Sequence, residues 1–310
     1  MEPHSKKPLV SFVMNCYNGE KYLHRSLDSI MKQTYENWEL VFWDNCSTDK
    51  SKEIFDSYNE PRFKYYRSEQ NVNLGQARAW AVEKCNGDYI AFLDVDDEWY
   101  PNKTEIQVRE MLKDEYVLSV VAHRNILEED HSKREVFVFP NKSGYIFEQE
   151  LTDFNIGMVE SMVNKSALTK KHLNFDPEVK ASEEYCLFMQ LMYDEKVCII
   201  PDVLANYYIR KDSLTNKCID RWYIERFYTL NKILEAHPDA ETRFLGAFKE
   251  ARARGYYYKA RYYMSMNDKK QARDCLSNTK NVSFRYRFLY YLTFLPSGIW
   301  NKIHMIKNKR

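Results

Sequence analysis

The sequence predicts an α/β fold, a mainly parallel sheet with flanking helices, extended by a helical C-terminal region. Three observations predict it. Short apolar runs alternate with helical patterns through the first hundred residues. Polar clusters close three of those runs, at the strand ends where parallel sheets collect their ligands. From Trp222 onward the spacing is helical.

Leu9 to Met14 reads as a strand, and Asn15-Cys16-Tyr17-Asn18-Gly19 as a turn. Tyr22, Leu23, Leu27, Ile30 and Met31 recur at helical spacing. Trp38 to Trp43 is a second strand that runs into Asp44-Asn45-Cys46-Ser47-Thr48-Asp49, where Ser47, Thr48 or Asp49 can cap the next helix. Phe63 to Tyr66 is a third strand, Gly75 to Cys85 a helix with an alanine-rich face, and Tyr89 to Leu93 a fourth strand. Strands separated by helices call for right-handed crossovers and hence a parallel sheet. Residues 105 to 215 are mixed, with strand-like runs at Val117 to Ala122 and Glu135 to Phe139. Ala251, Tyr256, Ala260 and Tyr263, then Ala272 and Leu276, predict a helix hairpin that turns at Asn267-Asp268.

Composition narrows the function. A net charge of +1 leaves no global field to recruit nucleic acid or a membrane. Seven cysteines without CxxC or Cys/His spacing argue against a disulfide framework or a zinc site, and fit a reducing cytoplasm. The polar, basic stretch Met1 to Pro8 is not a secretory signal, and no apolar run is long enough to span a bilayer.

The feature that carries chemistry is Asp94-Val95-Asp96-Asp97, directly after the apolar run Tyr89 to Leu93. Three carboxylates in four residues repel one another and lose hydration where a buried strand emerges. A hard cation, Mg²⁺ or Mn²⁺, suits such oxygen ligands and in turn holds phosphates. A solvated acidic turn is the plainer reading of the triplet alone.

Together with the segments around it, the triplet resembles the family 2 glycosyltransferases with the GT-A fold. Val10 to Asn18 resembles the opening strand and nucleotide loop of that family. Gln33-Thr34-Tyr35 with Trp38 to Val41 resembles its second unit, and the Asp44 to Asp49 turn its Asp-rich base-binding turn, while Asn73-Leu74-Gly75-Gln76-Ala77-Arg78 and Gly87 to Asp94 resemble its run into the DxD motif. Ser182-Glu183-Glu184-Tyr185 resembles its acidic catalytic-base motif. The resemblance covers residues 8 to 215 and departs in three places. Asn15-Cys16 replaces Pro-Thr, Glu-Glu replaces Glu-Asp, and Arg210 stands where a histidine often lies near the metal.

What the resemblance implies is a Rossmann-like GT-A domain over residues 1–217 and a helical region over 218–310. The donor is a nucleotide-sugar, the cofactor Mn²⁺ or Mg²⁺. Asp96 holds the metal, with Asp94 on the metal or the ribose, and Asp97 comes second, either ligating the metal or only orienting its neighbours. Cys16, Tyr17 and Asn18 sit at the nucleotide, with Asp44 accepting a uracil or thymine N–H or else capping a helix. Gly75, Val95 and Asp94 belong to the same donor site. Arg78 is either a cation near the phosphates or a surface salt bridge, and Arg210, standing where a metal-ligating histidine is expected, contacts the diphosphate directly. Glu184 is the candidate base, with Glu183 as the alternative. Direct attack by the acceptor hydroxyl inverts the anomeric centre, and no nucleophilic triad argues for a covalent intermediate. Cys218 stands where processive synthases carry Gln before Arg221-Trp222, so a single sugar is expected to be transferred.

Residues 281 to 310 contain Arg285, Arg287, Lys302, Lys307, Lys309 and Arg310, no acid, and interleaved aromatics. Either this tail meets an anionic membrane surface, or it packs its aromatics on the domain and leaves its lysines solvated. No recognition motif favours nucleic acid. The resulting reading is a transfer from a UDP-sugar to a glycan or lipid-linked acceptor in bacterial surface polysaccharide or lipooligosaccharide assembly, at the inner face of the cytoplasmic membrane. The alternatives are an inactive glycan-binding module and a sugar-nucleotide nucleotidyltransferase. The latter should show a glycine-rich basic loop after the first strand, which Asn15 to Glu20 does not resemble.

Overall fold

The computed structural model describes residues 7–210, 218–295 and 298–300. They form two compact units, one from residues up to 147 together with 155–210, the other from 148–154 together with the residues after 210. The junction expected at 217/218 lies partly outside the described residues.

The first unit is built on a nine-stranded sheet in the order β3-β2-β1-β4-β8-β6-β9-β5, with β7 on β6. β1 (Val10–Cys16), β2 (Trp38–Asp44), β3 (Phe63–Arg67) and β4 (Tyr89–Phe92) are parallel, as the alternation predicts. The helices between them are α1 (Leu23–Met31), α2 (Ser51–Asp56) and α3 (Leu74–Glu83). β1, β2 and β4 are buried nearly end to end, which is why they read as continuous apolar runs rather than alternating ones. In α1 the buried positions are Leu23, Ser26, Leu27, Ser29 and Ile30, while Met31 lies exposed beside that stripe.

The remainder of the sheet is mixed. β5 (Glu98–Trp99), β7 (Lys133–Phe137) and β8 (Ser161–Asn164) pair antiparallel with their neighbours. The long strands β6 (Tyr116–Leu127) and β9 (Lys196–Ile209) run parallel to each other. Strand direction follows from the connections and not from the apolar pattern, so the mixed middle of the sequence concealed it. Helices α4 (Lys103–Met111), α5 (Phe147–Thr152), α6 (Lys165–Lys170) and α7 (Glu183–Leu191) complete this part of the chain, although most of α5 belongs to the second unit.

The second unit contains the helices Trp222–Ala236, Ala240–Arg243, Leu245–Ser265, Lys269–Ser277 and Phe284–Leu292. The expected hairpin is present. Asn267 takes φ +60° at its turn, and Asp268 caps the next helix by accepting from Gln271 N at 3.0 Å. Gly255 lets the helices Trp222–Ala236 and Leu245–Ser265 approach, since a Cβ there would meet Phe227 at 2.7 Å. Among the described residues, no helix is long and apolar enough to cross a membrane.

Phe12 pins the main core. It is fully buried, stacks on Trp38 at 5.3 Å between centroids and meets Trp99 edge-on at 5.1 Å. Phe12→Ala leaves a cavity under the centre of the sheet, and urea denaturation should show a loss of about 3–5 kcal/mol.

Candidate active site

Because β1, β2 and β4 are parallel neighbours, their carboxyl ends bring the three polar clusters together. The first two loops are laced by hydrogen bonds. Asn45 N donates to Cys16 O at 2.7 Å, Asn18 N to Ser47 Oγ at 3.0 Å, Thr48 N to Asn18 Oδ1 at 2.8 Å and Gly19 N to Ser51 Oγ at 2.9 Å. Asn18 and Cys46 take φ +52° and +67° to make these turns. A Cβ on Gly19 would lie 2.8 Å from Cys16 Sγ and 3.4 Å from Val95, so the Asp94–Asp97 loop closes against the first turn.

Within this frame Tyr17 is exposed, whereas Asp44 is not. Asp44 is fully buried and its carboxylate is already committed. Ser47 N donates to Oδ1 at 2.7 Å, and Tyr65 OH and Arg67 Nη1 both donate to Oδ2 at 2.5 Å. Arg67 also donates to Ser47 O at 2.8 Å. Asp44 therefore shapes the turn, and the geometry speaks against both the base-acceptor and the helix-cap readings. Its partners Tyr65 and Arg67 come from β3, where Arg67 stands directly opposite it in the sheet register.

Each acidic residue of the triplet has a different partner. Asp94, partly exposed, accepts from Arg78 Nη2 at 2.7 Å. Asp96 pairs with Arg210 at 2.8 Å, which brings the expected cation to the site. Burial, then the charge of Asp94, push the Asp96 carboxyl up. Asp97 is buried and accepts Tyr208 N–H at 2.9 Å. Burial, then Asp96 and Asp94, push it well up, and its hydrogen bond to Tyr208 ties the acidic loop to the end of β9. Among the described residues, no three His, Cys, Asp or Glu side chains form a ready-made metal cluster.

Arg78 is neither a surface residue nor a free cation. It is 3 % exposed, and its two terminal nitrogens reach Asp94 and Glu183. Burial alone would lower its pKa, but Asp94, Glu183 and Glu184 outweigh burial and raise it. Glu183, also buried, is held by this ion pair at the start of α7. Glu184 is less buried, and burial followed by the Glu183 charge pushes its carboxyl up to about 8. Gly75 acts on the same side. A Cβ there would meet Val179 O at 2.6 Å and Asp176 O at 2.8 Å, and Asn73 Nδ2 donates to Pro177 O at 2.9 Å. The start of α3 thus fixes the segment that leads into Glu183-Glu184, and Gly75 serves that packing.

Two groups at the site escaped sequence reasoning. Arg25, on α1, donates to Asp96 O, pairs with Glu128 at 3.0 Å and lies 3.5 Å over the Tyr208 ring. In sequence it looks like any solvated helix arginine. Tyr207 lies within the field of Asp97, Asp94, Asp96 and Glu160, and burial first, then these charges, raise its pKa.

Residues 11–169, just over half of the chain, match the family described as Glycosyl transferase family 2. The chain belongs to that family. This family 2 glycosyltransferase is 31 % identical over 192 residues to the Escherichia coli UDP-Glc:alpha-D-GlcNAc-diphosphoundecaprenol beta-1,3-glucosyltransferase WfgD, covering 62 % of this chain and 73 % of that one. Its fold is similar to Staphylococcus aureus TarS 1–349 in complex with UDP-GlcNAc, with TM-score 0.72 and 17 % identity over 90 % of this chain and 83 % of that one. It is also similar to the mannosyltransferase PcManGT from Pyrobaculum calidifontis in complex with GDP-Man and Mn²⁺, with TM-score 0.55 and 14 % identity, covering 93 % and 85 %. The glycosyltransferase therefore has the GT-A fold that the motifs imply.

Arg78→Met should strand the buried Glu183 charge and cost about 3–5 kcal/mol in urea denaturation. Adding Glu183→Gln should restore more than half of that loss. A double variant as unstable as the single one would show that the ion pair is not the cause.

Proposed function

We propose that this glycosyltransferase moves one sugar, with inversion, from a UDP-sugar to a glycan or lipid-linked acceptor in bacterial surface polysaccharide assembly. The observation that carries this reading is the buried Arg78 bridge, which joins the donor motif at Asp94 to the base motif at Glu183. WfgD, named for a UDP-glucose donor and a diphosphoundecaprenol-linked acceptor, supports the donor and acceptor classes. TarS in complex with UDP-GlcNAc supports the same nucleotide. A lipid-linked acceptor puts the enzyme at the cytoplasmic face of a membrane.

The Asp94 and Asp96 carboxylates fit a divalent cation. They are hard oxygen ligands, and the mutual repulsion that helps push Asp96 up is relieved by a positive charge. Two carboxylates suffice where donor phosphates complete the coordination. The Mn²⁺ of the mannosyltransferase with a similar fold supports this assignment. Bound there, the cation supplies Lewis-acid stabilisation of the leaving diphosphate. Arg210, ion-paired with Asp96, adds a fixed positive charge on the same side. Tyr17 offers its exposed ring to the base.

Glu184 takes the proton. The acceptor oxygen bonds to the anomeric carbon, the bond to the diphosphate breaks with its electron pair leaving on UDP, and the acceptor proton passes to the Glu184 carboxylate. Glu183 is held by Arg78 and positions its neighbour.

Glu184→Gln should lower kcat by about 10²–10⁴-fold while leaving UDP-sugar affinity unchanged in a thermal-shift titration with Mn²⁺. Retained turnover would remove Glu184 from the role. For the wild type, kcat/KM should climb about tenfold per pH unit and level off near pH 8, where the free enzyme's Glu184 ionises. The same raised carboxyl binds its proton more tightly folded than unfolded. Its stabilising contribution is therefore complete below the ordinary carboxylate range and is lost as pH rises through about 8, which thermal melts across that window would detect.

A further inference from the structure

We infer that the helix Phe284–Leu292, with the turn after it, is a docking face for an anionic lipid surface. Phe284, Phe288 and Tyr291 are spaced by four and three residues and so share one side of the helix. All three are exposed, Phe284 to 80 % and Tyr291 to 62 %, and Phe294 and Leu295 just beyond the helix are exposed as well. The stripe is not a failure of packing, because the opposite side of the helix is fully engaged. Tyr286, Leu289 and Leu292 are buried in the core of this unit, and Tyr286 OH donates to Glu250 Oε1 at 2.5 Å.

Cations border the stripe. Arg285 and Arg287 are exposed, and at 3.6 residues per turn they fall on its two flanks. Arg273 lies 4.8 Å over the Phe294 ring, and Lys280 lies 5.0 Å over the Tyr290 ring. No carboxylate occurs between residues 281 and 300. Lys302, Lys307, Lys309 and Arg310 lie outside the described residues and are not needed. Aromatics on one face with basic groups along both edges suit the boundary between lipid headgroups and acyl chains, where the rings enter and the cations meet phosphate. A second copy of the chain fits less well, because two like faces would bring their arginine borders together. This surface goes beyond the transfer reaction, and its binding is read without turnover, so the two readings fail separately.

The test is co-sedimentation of the full chain with vesicles of phosphatidylglycerol and phosphatidylethanolamine, and with phosphatidylcholine vesicles as the neutral control. Binding to the anionic vesicles should exceed the control by at least about tenfold and weaken several-fold at ~0.5 M salt. F288E/Y291E should reduce it by at least about tenfold. R285Q/R287Q should reduce it several-fold and remove most of the salt dependence. Both variants alter exposed side chains and should keep the wild-type melting temperature. Equal binding to both vesicle types, no binding at all, or undiminished binding by F288E/Y291E would overturn the inference. So would a concentration-dependent doubling of mass that F288E/Y291E abolishes, which would assign the face to a second copy.

Discussion

A single guanidinium, that of Arg78, holds the chemistry of this enzyme in register. It is buried on α3, and it spans from Asp94 at the end of β4 to Glu183 at the start of α7, segments nearly ninety positions apart in the chain. A buried arginine without partners is too costly to keep, and a buried glutamate equally so. Each makes the other tolerable, and their pairing fixes where the Asp94 loop and the start of α7 meet. The elevated carboxyl of Glu184 follows from the same arrangement. Burial raises it and the neighbouring Glu183 charge raises it further, while Arg78 holds it partly in check.

Around that bridge, other interactions hold the loops. Asp44 gathers Ser47, Tyr65 and Arg67, and so sets the shape of the turn beside Tyr17. Asp97 closes on the backbone of Tyr208, which ties the acidic loop to β9 and delivers Arg210 to Asp96. Arg25 reaches the same loop from α1, stacked on the Tyr208 ring. The acidic triplet thus divides its labour. Asp97 is structural, whereas Asp94 and Asp96 keep arginine partners near the space that the donor diphosphate is proposed to enter. Such cationic partners offset the mutual repulsion of neighbouring carboxylates.

Much of this was legible in the chain. The parallel half of the sheet was visible because its strands are buried on both faces and read as unbroken apolar runs. The hairpin turn at Asn267-Asp268 was visible because a left-handed residue and a capping aspartate are local signals. The run that became β7 was legible as a strand but its antiparallel direction was not, and β8 was hidden altogether, since direction depends on the route of the chain. The pairing that matters most was hidden too. In sequence Arg78 is a helix arginine among alanines, and nothing local states that both its neighbours in space are carboxylates.

The sequence by itself determined the family, the GT-A fold and the places where acidic chemistry gathers, because these depend on short-range pattern and on strand ends that the topology must bring together. Only the tertiary structure decided how far each carboxylate is enclosed and what it touches. The motif resemblance ranked Asp97 behind Asp94 and Asp96, and Glu183 behind Glu184, but nothing local said how far each is enclosed. In the fold Asp44, Asp97 and Glu183 are buried, whereas Asp94, Asp96 and Glu184 are less enclosed. That sorting rests on desolvation and ion pairing between residues distant in the chain, which are properties of the folded molecule.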